Sequence, residues 1–479
     1  MKKILVCNRK AVETKYGKMA LVFWQHVNSL VEVSKTKGMD AVLICLDDKK
    51  DMQQYGLDPV TDILDTRQNK AAIDGIFEKA HPDCVVIVGA QDIIPFQILK
   101  DPTKTEKEES PYIPSDLPYC SKHTYSQIVS DFLPPTRMVT RLPDLHGATG
   151  EDGLEVFIET IKGAVSFQQK DEKEYQDILC LYAEQWERIT LKTMQALVPS
   201  GKISQYASPP NKHPLEHNVL AHNVHFINLH GDKLDNSFYG QEGNKYPKAL
   251  TADAVYRGIR EGSVAVVLCC YGAQLYRTPG EWSAANAYLA GGAVMMGSTV
   301  LAITGPAEEL GSRFLNAFRS SAKPSMQQAF LNARTSFIAA RSKKPLDIFE
   351  LKTLAEFVFY GDCGLPYIKG EAQENVANIQ EEITYIRENI GFAAASPEHT
   401  VPEVVRMQVE QDRREGNYRI DSEIRIFGIT GFTESLETSG WDRIRQYVVS
   451  MTDINEGKHH FVYTFEQGKI TDSREYTEK

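Results

Sequence analysis

Short apolar runs alternate with stretches of helical periodicity along most of the chain. ILVC (4–7), AVLICL (41–46) and CVVIVGA (84–90) are continuous rather than alternating, the pattern of strands covered on both faces of a parallel sheet. Helical spacing over 18–36 and 68–80 fills the gaps between them. A polar loop (100–116) precedes strand-like TRMVTRLPD (136–144), and the Gly-rich, acidic HGATGEDG (146–153) reads as a boundary. The alternation then repeats, with strands at DILCLYA (177–183), VHFINLH (224–230), SVAVVLCC (263–270) and AVMMGSTV (293–300). Helices are expected over 187–197, 252–260, 282–290 and roughly 305–358. From about 371 the texture changes to a Glu- and Asn-rich helix (371–390) followed by short β-rich segments such as YRIDSEIRIFGIT and HHFVYTF. The pattern predicts an α/β fold in two subdomains, 1–150 and 151–370, and a small β-rich C-terminal domain, 371–479.

Composition narrows the setting. With 479 residues, 42% hydrophobic and 24% charged, the chain is too long for one core and too apolar for disorder. Lys and Arg number 53 against 64 Asp and Glu, a net charge of −11, so nucleic acid is not an expected partner. No run reaches the ~18 apolar residues that a membrane span needs. The N-terminal MKKILVCNRK reads as a first buried strand rather than a signal peptide. Eight scattered cysteines, most of them in apolar runs, fit a reducing compartment better than a disulfide framework, so a cytoplasmic location is expected.

Two strand ends carry candidate chemistry. VHFINLHGD closes on His230 and Gly231, and VAVVLCCYGA on Cys269 and Cys270. Ligands in open α/β sheets bind beyond the carboxyl ends of the strands, and one strand–loop–helix–strand unit separates the two motifs. A thiol with an ordinary pKa of about 8.5 is mostly protonated at neutral pH, so a nearby imidazole must activate it. The backbone amides of Gly231 and Cys270 could supply the two donors that a tetrahedral intermediate requires, and Gly231 would let substrate approach closely. A single strand-end cysteine is more often a small core residue; the matching His-Gly end favours catalysis. His222 and His230 share one strand face and His225 the other, with no Cys-x-x-Cys beside them, so no metal is expected. VGAQD and LAGGA have too few glycines for a phosphate loop, and no cofactor is expected.

His-Gly preceding Cys, each closing an apolar strand, resembles the caspase-like cysteine peptidases, and within them the gingipain family. CVVIVGAQDIIPF (84–96), SDLPYCS (115–121) with SDFLPPTRMVTRLP (130–143), FINLHGD, VVLCCYGA, SAANAYLAGGAVMMGSTV (283–300) and FVFYGDCGLPY (357–367) resemble that family's segments in the same order. The resemblance implies a caspase/gingipain-like fold of mostly parallel sheets flanked by helices, and a cysteine endopeptidase acting on protein or peptide substrates. It makes Cys270 rather than Cys269 the nucleophile and His230 the general acid/base, and it places Glu184, at the end of ILCLYAE, as the carboxylate that orients His230. Gly231, Asp232 and Cys269 fall at the oxyanion and substrate-binding positions. The family's pocket aspartate has no counterpart in ERITLKTMQAL and the tryptophan expected after GST is absent, so a basic P1 preference is not implied. Asp232, Asp235 and Glu281 are acidic loop candidates for such a pocket, although solvated loop acids are commoner. Two other readings are a non-catalytic caspase-like interaction or scaffold module that binds a regulatory partner through 371–479, and a regulated intracellular peptidase of a bacterial defence pathway.

Overall fold

The computed structural model describes residues 1–103, 111–198, 203–208, 217–233, 235–275, 282–341 and 345–369, and four strands within 418–478. Ten strands form one sheet: β1 Lys2–Cys7, β2 Asp40–Cys45, β3 Cys84–Val88, β4 Met138–Leu142, β5 Ile178–Ala183, β6 Ile203–Ser208, β7 Val224–Asn228, β8 Val264–Val267, β9 Val294–Ser298 and β10 Phe357–Tyr360. Their order is β2-β1-β3-β4-β10-β9-β8-β7-β5-β6. The continuous apolar runs are what this topology demands, because helices cover both faces; every residue of β3, β5, β7, β8 and β9 is buried.

Each half of the sheet is parallel within itself. β10 joins them: it pairs with β4 through Tyr360↔Arg141 and runs antiparallel to β9 from Met295↔Tyr360 to Ser298↔Phe357. The carboxyl ends of the two halves open on the same edge, where the His146 amide, past β4, bonds the Leu275 carbonyl, past β8, at 3.1 Å. Sequence periodicity assigns 305–358 to helices. The structure instead ends helix Ile348–Glu356 directly against β10, whose four apolar residues are too few to show a strand period.

All eight cysteines lie among the described residues, and one pair corrects the expectation of thiols throughout. Cys84 of β3 and Cys363, just past β10, form a disulfide across a separation of 279 residues. The first strand is β1, as expected, and no described helix is long and apolar enough to cross a membrane.

The C-terminal region contains a separate four-stranded antiparallel meander of Tyr418–Gly428, Ile444–Asp453, Lys458–Glu466 and Lys469–Glu478. The helix expected over 371–390 lies outside the described residues.

Candidate active site

β7 and β8 are neighbours in register, with Ile227 opposite Val267, so their extensions carry His230 and Cys270 out side by side. The Leu268 amide bonds the Ile227 carbonyl at 2.8 Å. Two residues before His230, buried Asn228 donates to Thr190 Oγ1 and Glu308 Oε1, both at 2.9 Å, and this fixes the strand end. A Cβ built on Gly231 would stand 1.8 Å from the Cys270 carbonyl oxygen and 2.9 Å from its carbon. The glycine is therefore required by the packing of the Cys270 backbone against it, and the space expected to admit substrate is filled by the Cys270 carbonyl. Past the cysteine the chain turns sharply. Tyr271 adopts φ 55°, unusual for a residue with a side chain, and its amide bonds the Val300 carbonyl at 2.9 Å.

The two adjacent thiols differ. Cys269 continues the inward face of Ala265 and Val267, is fully buried in the core, and its Sγ lies 3.8 Å from the Ile227 carbonyl. Of the six free cysteines, Cys270 is the only one not fully buried. Burial pushes its thiol above the ordinary value, and the Glu356 carboxyl adds to this; the Ala302 N–H directed at the sulfur and the Lys352 charge act in the other direction. At neutral pH Cys270 therefore rests as a thiol.

The imidazole of His230 is half-buried between two aromatic rings, Trp186 tilted at 4.4 Å and Tyr246 edge-on at 4.9 Å. Its Nε2 lies 3.2 Å from Gln241 Oε1. Burial pushes its pKa down and the Gln241 contact partly offsets this, so the ring rests neutral at neutral pH. Glu184 lies nearby, and its carboxylate accepts the Gly243 amide at 2.9 Å. It thereby holds the turn that carries Gln241, within the small antiparallel sheet of His230–Gly231, Phe238–Tyr239 and Lys248–Leu250.

The structure thus brings together His230, Gly231 and Cys270, with Glu184 one loop away and Cys269 behind them in the core. Asp232 is exposed on the loop after His230. Asp235 is tied to Lys248 at 3.1 Å and to the Ser237 amide at 2.7 Å, which leaves it a structural acid of that loop; Glu281 lies outside the described residues. His225, on the opposite strand face, is buried, with Nε2 2.9 Å from the Leu220 carbonyl and Nδ1 3.2 Å from the Tyr288 hydroxyl. No group of three metal-ligating side chains occurs among the described residues.

Sequence reasoning missed four residues around the pair: Trp186, Gln241, Tyr246 and Glu356. Trp186, two residues past Glu184 at the end of β5, was the most accessible of these, since a bulky ring at a strand's carboxyl end borders the rim. No spacing rule marks Gln241 or Tyr246. Glu356 ends a helix beside the Thr299–Ile303 loop; it is fully buried, and neither carboxyl oxygen has a close hydrogen bond among the described residues, the Ile303 N–H being its weak backbone contact.

No protein-family model matches the chain, and no curated protein matches it in sequence. Among solved structures it is similar to the complex of the pro- and mature domains of Porphyromonas gingivalis RgpB, with TM-score 0.50 and 11% identity over 99% of both chains. It is similar in the same degree to the Arg-specific cysteine proteinase gingipain R, with TM-score 0.50 and 10% identity over 99% of this chain and 96% of that one. At such identities the likeness is one of fold, and the α/β fold of this chain is the caspase-like fold of gingipain R.

Proposed function

We propose that the chain is a cysteine endopeptidase in which Cys270 and His230 form the reacting pair. The observation that carries this reading is the abutment of the two strand ends: the one incompletely buried free thiol sits on the backbone that packs against the His230–Gly231 step. The thiol and the imidazole both rest neutral, so the reaction begins with proton transfer from Cys270 Sγ to His230 as sulfur attacks the peptide carbonyl. The carbonyl oxygen becomes an oxyanion held by the Gly231 and Cys270 amides. Collapse of this intermediate breaks the C–N bond, the imidazolium returns its proton to the leaving amine, and a thioester remains. Water, deprotonated by His230, hydrolyses the thioester and restores the thiol. Glu184 supports His230 through the loop that its carboxylate holds.

Cleavage of a peptide library by wild type, Cys270→Ala and Cys269→Ala tests this. Hydrolysis should vanish in Cys270→Ala and survive in Cys269→Ala. Full activity in Cys270→Ala would refute the assignment.

A further inference from the structure

The partner of the imidazole is an amide rather than a carboxylate, although three acids, Glu184, Asp232 and Glu242, lie within the same loops. Gln241 Oε1 faces His230 Nε2 at 3.2 Å, and the orientation of the Gln241 amide is fixed from both sides. Its oxygen also faces the Gln185 amide at 3.4 Å, and its nitrogen donates to the Gly243 carbonyl at 3.1 Å. Exchanging the oxygen and nitrogen would set two donors face to face at Gln185 and two acceptors face to face at Gly243. Gln241 therefore presents an acceptor to Nε2. Among the described residues, the acid that joins this network is Glu184, and it contributes at one remove, because its Oε2 accepts the Gly243 N–H at 2.9 Å.

Resting on the peptidase reading, we infer that Gln241 is the positioning residue of His230: its side-chain oxygen fixes the Nε2–H tautomer, leaves Nδ1 as the base, and as an uncharged partner keeps the resting pair a neutral thiol and a neutral imidazole. The groups facing the ring from neighbouring elements are consistent with this. Trp186 from the end of β5 and Tyr246 from the loop bring rings, and Gln241 brings an amide, so no charged group is in contact with the ring among the described residues. A carboxylate in the place of Gln241 would favour the imidazolium and delay the appearance of the base until higher pH.

The test uses the full chain with 15N-labelled histidine, the His230 signals being those lost in His230→Asn. The 15N shifts of the two ring nitrogens read the tautomer, and a pH titration reads the midpoint. Wild type should show the Nε2–H form. Gln241→Ala should populate both tautomers. Gln241→Glu, which preserves size, should raise the His230 midpoint by about 1 pH unit or more and carry the acid limb of kcat/KM upward with it. Glu184→Gln should leave the tautomer as in wild type, since its amide oxygen can still accept from Gly243. An Nδ1–H tautomer in wild type, or a midpoint unmoved in Gln241→Glu, would overturn the inference. So would a Glu184→Gln variant that changes the His230 tautomer. If wild type cleaved no peptide, the peptidase reading would fail, and the tautomer and midpoint would still decide the role of Gln241.

Discussion

The two halves of the sheet have the same parallel architecture and opposite chemistry at their strand ends. In the N-terminal half a network of buried ion pairs and hydrogen bonds occupies the strand ends. Asp144, fully buried after β4, takes the Ala90 amide at 2.7 Å, Lys15 at 2.8 Å and the Tyr16 hydroxyl. Lys15 also reaches Asp92 at 2.7 Å; burial would raise the Asp92 carboxyl, but His146, Lys15 and the Gly147 amide outweigh it and hold the group well below the usual carboxylate range. Arg141, buried within β4, forms a two-pronged pair with Asp116 at 2.9 and 2.6 Å, donates to the Gly89 and Ile94 carbonyls, and lies over the Phe96 ring. In the C-terminal half the strand ends carry a half-buried imidazole and thiol, both kept neutral, beside the buried Glu356 carboxyl, which has no close hydrogen bond among the described residues. The closed network stabilises the fold and offers nothing to a substrate; the open one gives up some stability and keeps reactive groups available.

Substitutions in each half should separate these roles. The largest effect is expected for His230→Ala, which should lower kcat/KM on a cleaved peptide by about 10³-fold, or about 4 kcal/mol of barrier. Its thermal unfolding should change little, because the ring is only half-buried. Arg141→Met should do the reverse. Leaving Asp116 buried and unpaired should cost about 3–5 kcal/mol in denaturant unfolding, with kcat per folded molecule unchanged.

His225 and His230 share β7 and its extension, and pH should distinguish them. Burial pushes His225 down to about 4, below the ordinary 6.5, so the unfolded chain binds the proton more readily than the folded one. The neutral ring's contribution is complete above about pH 6.5 and is lost as pH falls through 4, worth about 3 kcal/mol in all. Subtracting the stability profile of His225→Gln from that of wild type should isolate this acid limb. Glu356 has the opposite sign. Burial raises its carboxyl, Lys352 only partly opposing, so it costs stability as pH rises above the usual glutamate range. Glu356→Gln should be the more stable protein at neutral pH, by about 1–3 kcal/mol, with the gain shrinking towards pH 4.

Much of the frame was legible because burial on both faces forces unbroken apolar runs: β1, β2, β3, β5, β7, β8 and β9 follow from them, as do the His230 and Cys270 strand ends. β10 was not, since FVFY abuts a helix and a four-residue run has no period of its own. That Cys269 and Cys270 point to opposite sides was legible from strand alternation, and Cys269 does lie in the core; the assignment of Cys270 as nucleophile rests on the resemblance. The setting of His230 was not legible either. Gln241 and Tyr246 reach the ring through a turn whose geometry leaves no mark on spacing. The Cys84–Cys363 disulfide depends on β10 lying next to β4, one strand away from β3, a long-range pairing that local pattern does not encode.

The most direct measurement is reaction of the full chain with a panel of peptidyl halomethyl ketones, followed by peptide mapping of the adduct. One adduct is expected, on Cys270, that persists in Cys269→Ala and is lost in His230→Ala. Labelling of any other cysteine, or equal labelling of Cys270 in wild type and His230→Ala, would contradict it.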